Sequence, residues 1–102
     1  MSRYVLSRRA RRDLQDIWQY TARRWTVARA DGYLADIIDT LVELAAGRQH
    51  SLPAEEFRRG YRRSLVGSHV VFYRVGSPDE VFVLRILHQS MDAGRHLRSP
   101  RS

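Results

Sequence analysis

The chain runs to 102 residues, with 18 basic and 11 acidic side chains, a formal net charge of +7 and no Cys. That length fits one domain with one modest core; it has no disulfide frame or thiolate zinc site, and because every basic residue is Arg it has no lysine base or Schiff base. No apolar run reaches membrane-spanning length and no signal-peptide pattern opens the chain, so a cytoplasmic protein without a membrane partner is expected.

Arg3-Tyr4-Val5-Leu6 is short and β-favouring, and Ser7 after it fits a helix N-cap. The spacing predicts a helix from about Arg8 to Arg24, with Ala10, Leu14, Ile17 and Thr21 on one stripe and Trp18 and Trp25 flanking it. Asp13 and Asp16 alternate with arginines on the side read as exposed. Arg8, Arg9, Arg11 and Arg12 crowd the first turns, where the helix dipole disfavours cations; this fits either an acidic partner or a solvated basic face. Thr26 is the next N-cap, for a helix from about Val27 to Ala46 with Ala30, Leu34, Ile37, Leu41 and Leu44 on one face. Gly47 fits the left-handed position that ends it. The near absence of a loop makes the pair an antiparallel hairpin, with Trp18, Tyr20 and Tyr33 on its apolar rim.

Residues 47–59 read as a polar connector with one helical turn over Pro53–Phe57. Gly60 to His88 then reads as an antiparallel meander with strands at about 60–66, 69–75 and 80–87. Gly67-Ser68 and Gly76-Ser77-Pro78-Asp79 supply its turns. Strict alternation puts Phe82, Leu84 and Ile86 on one side of the last strand and Val81, Val83, Arg85 and Leu87 on the other. The meander's apolar face is the only large cover available for the helix hairpin. The expected core is therefore Leu14, Ile17, Leu34, Ile37, Leu41, Phe72, Leu84 and Ile86. Four arginines, Arg62, Arg63, Arg74 and Arg85, interrupt these strands. Arg85, inside Val-Leu-Arg-Ile-Leu-His, requires a carboxylate, a carbonyl or an anion-facing concavity. Asp92 to Leu97 fits a turn or short helix. Residues 1–98 make one domain, and 99–102 a frayed basic tail.

No Gly-rich phosphate loop is present. His88 and Asp92 stand four apart, as two metal ligands on one helix face would, but no third ligand accompanies them, so neither metal nor cofactor is expected. Arg58, Arg62, Arg85 and His88 gather near the sheet and its connector. Arg can bind phosphate and stabilise developing charge, and His can transfer a proton, so these types allow a nuclease centre without specifying one.

Three stretches, Ser7 with Leu14–Tyr20, Gly60–Val75 and Val83–Asp92, resemble the RelE/ParE superfamily of bacterial toxins. The patterns D-L-x-x-I-W-x-Y and L-R-I-L-H-x-x-M-D are most similar to its ParE branch. The resemblance implies an α+β fold in β-α-α-β-β-β order, with the helix hairpin on one face of an antiparallel sheet. It also implies a type II toxin–antitoxin module serving plasmid stabilization. The toxin would inhibit DNA gyrase and be neutralised by an acidic, ParD-like antitoxin with a ribbon-helix-helix domain and a tail that folds on the toxin.

Under that reading Arg85, His88, Met91 and Asp92 are the gyrase-binding candidates. Trp18, Tyr20, Tyr33, Arg58, Arg62 and Arg74 are the antitoxin-binding candidates. The alternative is a RelE-like, ribosome-dependent mRNA endonuclease using Arg62, Arg85 and His88. This chain has no Lys for such a centre, and Gln89 follows His88 where a Tyr would be expected. A third reading, a non-catalytic nucleic-acid-binding module, accounts for the charge but not for aromatics at core-like spacing.

Overall fold

The computed structural model describes residues 3–76 and 80–97. The elements are β1 (Arg3–Leu6), α1 (Arg8–Arg24), α2 (Val27–Ala45), β2 (Leu52–Pro53), β3 (Tyr61–Val66), β4 (His69–Gly76), β5 (Glu80–His88) and α3 (Ala93–Leu97). Both expected N-caps form: Ser7 Oγ accepts from the Ala10 N–H at 2.9 Å and Thr26 Oγ1 from the Arg29 N–H at 3.0 Å. Gly47, at φ 75°, follows the end of α2 in the left-handed region. The Ser77–Asp79 part of the second turn and the tail from residue 98 lie outside the described residues.

The sheet order is β1-β5-β4-β3-β2. The meander β3-β4-β5 is antiparallel, but β1 lies parallel to β5, with Leu6 opposite Val83. The sheet is therefore mixed rather than purely antiparallel. A parallel neighbour needs a long crossover, and the chain between β1 and the meander, with its two helices, supplies one. β2 is a two-residue edge strand that takes Pro53, expected to open a helical turn, into the sheet instead. Residues 54–57 make a single turn there, closed by Phe57 N–H to Ala54 O at 3.2 Å.

The register slips between Phe72 and Tyr73: Phe72 faces Arg85, whereas Tyr73 faces Val83. Leu84 is the extra residue, and a one-residue bulge inverts the alternation beyond it. Val81, Val83 and Ile86 thus reach the helix side together. There they join Ala10, Leu14, Ile17, Ile37, Leu41, Leu44, Val71 and Tyr73 in the main core. Leu84, expected in that core, is only half-buried, and so is Leu34. Phe72 is buried on the opposite face, in a second cluster with Ala54 and Leu87 that Phe57, Tyr61 and Leu97 border. The connector and α3 thus cover a second apolar face of the sheet.

Candidate functional site

Asp13, read as exposed, is buried. Its carboxylate accepts from Arg85 Nε at 2.8 Å and Nη2 at 2.9 Å, and from the Ile86 N–H at 2.9 Å. This is the carboxylate that an arginine inside an apolar strand demands, and it raises the Arg85 pKa against the opposing effect of burial. Ser7 makes the adjacent tie, donating from N–H to Val83 O and from Oγ to Leu84 O. Together these bonds fix α1 on β5 and set where the hairpin overhangs the sheet.

The overhang leaves an open groove of about 660 Å³ between the hairpin bend and the His69–His88 end of the sheet. Tyr20, Trp25, Arg29 and Tyr33 line it from the helices, and Ser68, His69, His88 and Met91 from the sheet side. Tyr33 holds the inner wall. Its hydroxyl lies 3.1 Å from Val66 O and 2.6 Å from His69 Nδ1, and it accepts from the Ser68 N–H at 3.2 Å. The turn fits only because residue 67 is Gly: its φ is 56°, and a Cβ there would sit 2.6 Å from the Tyr33 ring.

His69 and His88 are partners in the register, their rings edge to face with centroids 5.3 Å apart. Burial, and then the nearby His88, push the His69 pKa below its ordinary value, with Asp13 opposing. At His88 the Ser90 N–H points to Nδ1 at 3.1 Å. A backbone N–H can only donate, so Nδ1 accepts and the neutral ring carries its proton on Nε2.

Of the residues singled out by sequence, the groove collects Tyr20, Tyr33, His88 and Met91. Trp18 instead joins the two helices, donating from Nε1 to Asp31 at 2.8 Å. Arg85 is held by Asp13. Asp92 accepts from the Gly94 N–H at the start of α3, so it shares no helix face with His88. Arg58 is exposed on the connector. Arg62 reaches Ser51 Oγ at 3.0 Å, and Arg74 lies over the Phe82 ring at 4.8 Å. Arg74 is five residues along β4 from His69, about 16 Å at 3.3 Å per residue. Arg74 thus lies well along the sheet from the groove and its aromatics.

Sequence reasoning passed over His69, Trp25, Arg29 and Asp13. Asp13 was legible, since its spacing from Ala10 and Ile17 puts it on the buried stripe. The His69–His88 pairing was not, because it depends on the bulge. Among the described residues no three His, Asp or Glu side chains are grouped to hold a metal, and no helix is long and apolar enough to cross a membrane.

A sequence profile described as "ParE toxin of type II toxin-antitoxin system, parDE" matches residues 4–93. The chain is 48% identical over 97 residues to Toxin ParE1 of Caulobacter vibrioides, covering 95% of this chain and 99% of that protein. It is 32% identical over 92 residues to Toxin ParE of Escherichia coli, covering 90% and 89%. In fold it is similar to a chain of the chromosomal ParDE system of P. aeruginosa, with a TM-score of 0.70, 24% identity, and coverage of 86% of this chain and 95% of that one. It is also similar to a chain of the RelBE2 toxin–antitoxin complex of Mycobacterium tuberculosis, at a TM-score of 0.53, 21% identity and coverage of 85% and 96%.

Proposed function

This chain belongs to the ParE toxin family of type II toxin–antitoxin systems, and from that premise we propose that it inhibits DNA gyrase in the cytoplasm and so blocks replication. A ParD-like antitoxin encoded beside it neutralises it. The observation that carries this reading is the state of the arginines. Arg62 is bound to Ser51 and Arg85 to Asp13, so the two cations of the nuclease set are engaged within the fold. What faces outward is a groove with mainly apolar walls, a surface suited to binding a protein. His88 and Met91 on its sheet side are the proposed contacts for gyrase, together with Arg85 and Asp92, which stand outside the groove's lining. Trp18, Tyr20 and Tyr33 on the hairpin, with Arg58, Arg62 and Arg74, are the proposed contacts for the antitoxin.

The RelE-like reading retains one supporting observation. His69 stands beside His88, and Arg29 lines the same groove, so two imidazoles and a cation share one concavity. An RNase needs a proton acceptor, a proton donor and charge stabilisation.

Induced expression of this chain should arrest growth, with elongated cells and induced DNA-damage response. Coexpression of the neighbouring acidic ribbon-helix-helix protein should restore growth. Arrest without any DNA-damage response would count against gyrase, and failure of the neighbour to rescue would count against the antitoxin.

A further inference from the structure

The outward face of α1 carries charge that the fold leaves uncompensated. At 3.6 residues per turn, Arg8, Arg12, Gln15, Gln19 and Arg23 fall within an arc of about 80° opposite Ala10, Leu14 and Ile17, and no other residue of the helix shares that arc. All five are exposed. The two acids of α1 point elsewhere: Asp13 is buried against Arg85, and Asp16 lines the groove. Among the described residues the arginines held in ion pairs are Arg3, Arg48, Arg63 and Arg85, so Arg8, Arg12 and Arg23 have no carboxylate partner. The first turn contains no acid, although the helix dipole favours one there and disfavours these cations. α2 is the reverse, with Asp36 and Asp39 exposed on its outward side. The hairpin thus sets a cationic helix face beside an anionic one.

The α1 face has no aromatic or aliphatic anchor of the kind a protein hot spot uses. Nor has it an aromatic ring on which the bases of a single strand could stack. Arg and Gln are instead the side chains that reach the phosphates and base edges of a duplex. The cations stand at the two ends of the face and the amides between them. At 1.5 Å per residue, Arg12 and Arg23 lie about 16 Å apart along the axis, enough to reach phosphates on both sides of a major groove about 12 Å wide. A-form RNA closes that groove to side chains, which favours B-form DNA. The helix is also fixed in advance of any partner, since Asp13 binds Arg85 and the Ile86 N–H, and Ser7 ties its start to β5.

We propose that the outward face of α1 binds double-stranded DNA. Arg8 and Arg12 take phosphates of one strand, Arg23 those of the other, and Gln15 and Gln19 lie over the groove between. The anionic side of α2 keeps the duplex along α1. This contact is the toxin's own and needs neither gyrase nor an antitoxin.

The test is fluorescence anisotropy of a labelled duplex of about 20 base pairs, longer than the helix, titrated with the full chain. Three phosphate contacts predict that affinity falls about fortyfold between about 50 and about 200 mM salt. Arg8→Gln, Arg12→Gln and Arg23→Gln together should weaken binding at least about tenfold at the lower salt and flatten the salt dependence. Arg3→Gln, Arg48→Gln and Arg59→Gln together remove the same charge elsewhere and should change affinity less than about threefold. All six side chains are exposed, so unchanged melting curves will establish that both variants fold. Native-like binding by the α1 variant would overturn the assignment. An equal loss in the other variant would overturn it in favour of net charge alone. No binding by the native chain at the lower salt would overturn it outright. Tighter binding of polyglutamate than of the duplex, lost in the α1 variant, would give the face to an acidic protein.

Discussion

Asp13 concentrates three hydrogen bonds on one buried carboxylate, two from the Arg85 fork and one from the Ile86 N–H. Removing one member leaves an unpaired buried charge. Asp13→Ala and Arg85→Ala should therefore each destabilise the fold by about 3–5 kcal/mol in denaturant titrations. Replacing both, as Asp13→Leu with Arg85→Met, should cost much less, because the charges leave together. Additive losses in the double variant would mean that the pair is not the link described. It follows that lost activity in Arg85→Ala says little about a contact until stability has been measured.

His69 offers a second test at this scale. Its pKa lies below the 6.5 of a free imidazole, chiefly through burial. In an unfolded chain the ring takes up a proton around that value; in the fold it does so only at lower pH. The contribution of His69 to stability is thus complete above pH 6.5 and is lost as the pH falls through the folded-state value. The melting temperature should fall as the pH drops from 7.5 towards 5.5, and His69→Gln should flatten that dependence. An unchanged slope in His69→Gln would remove this residue from the account.

At the scale of elements, what local chemistry controls was legible and what tertiary contact controls was not. Ser7, Thr26 and Gly47 mark helix ends because capping is local, and both helices and all three meander strands fall within a residue or so of their expected bounds. Leu84 shows the limit. Alternation assigns it to the core, but the bulge opposite Phe72 and Tyr73 turns it aside and brings in Val81 and Val83. No local pattern in Val-Phe-Val-Leu-Arg-Ile-Leu marks an inserted residue; the bulge adjoins tertiary contacts, the Asp13–Arg85 pair and the Ser7 bonds to Val83 O and Leu84 O. The parallel placement of β1 was equally out of reach, since it depends on where the hairpin delivers the chain. In the candidate site, Tyr20, Tyr33, His88 and Met91 could be picked by type, but their meeting in one groove follows from the overhang of the hairpin. The bulge makes a quantitative contrast: Leu41→Ala, at a fully buried position, should cost about 2–5 kcal/mol. Leu84→Ala should cost clearly less, and Val83→Ala should exceed it despite the smaller side chain. Equal losses at 41 and 84 would restore strict alternation.

The whole molecule carries a net charge of +7, and within the described residues only four of its arginines are paired with carboxylates. Such a surface attracts acidic partners over a Debye length, so association with the antitoxin should slow as salt rises. A salt-independent association rate would remove the electrostatic part of the account. The central claim is that this toxin works by binding an enzyme rather than by cutting RNA. It is tested most directly by adding the purified chain to a gyrase supercoiling reaction and, in parallel, to translating ribosomes with a reporter message. The account predicts inhibited supercoiling or trapped cleavage complexes, with the message intact. Unimpaired supercoiling, together with site-specific cutting of the message that disappears in His88→Ala, would contradict it.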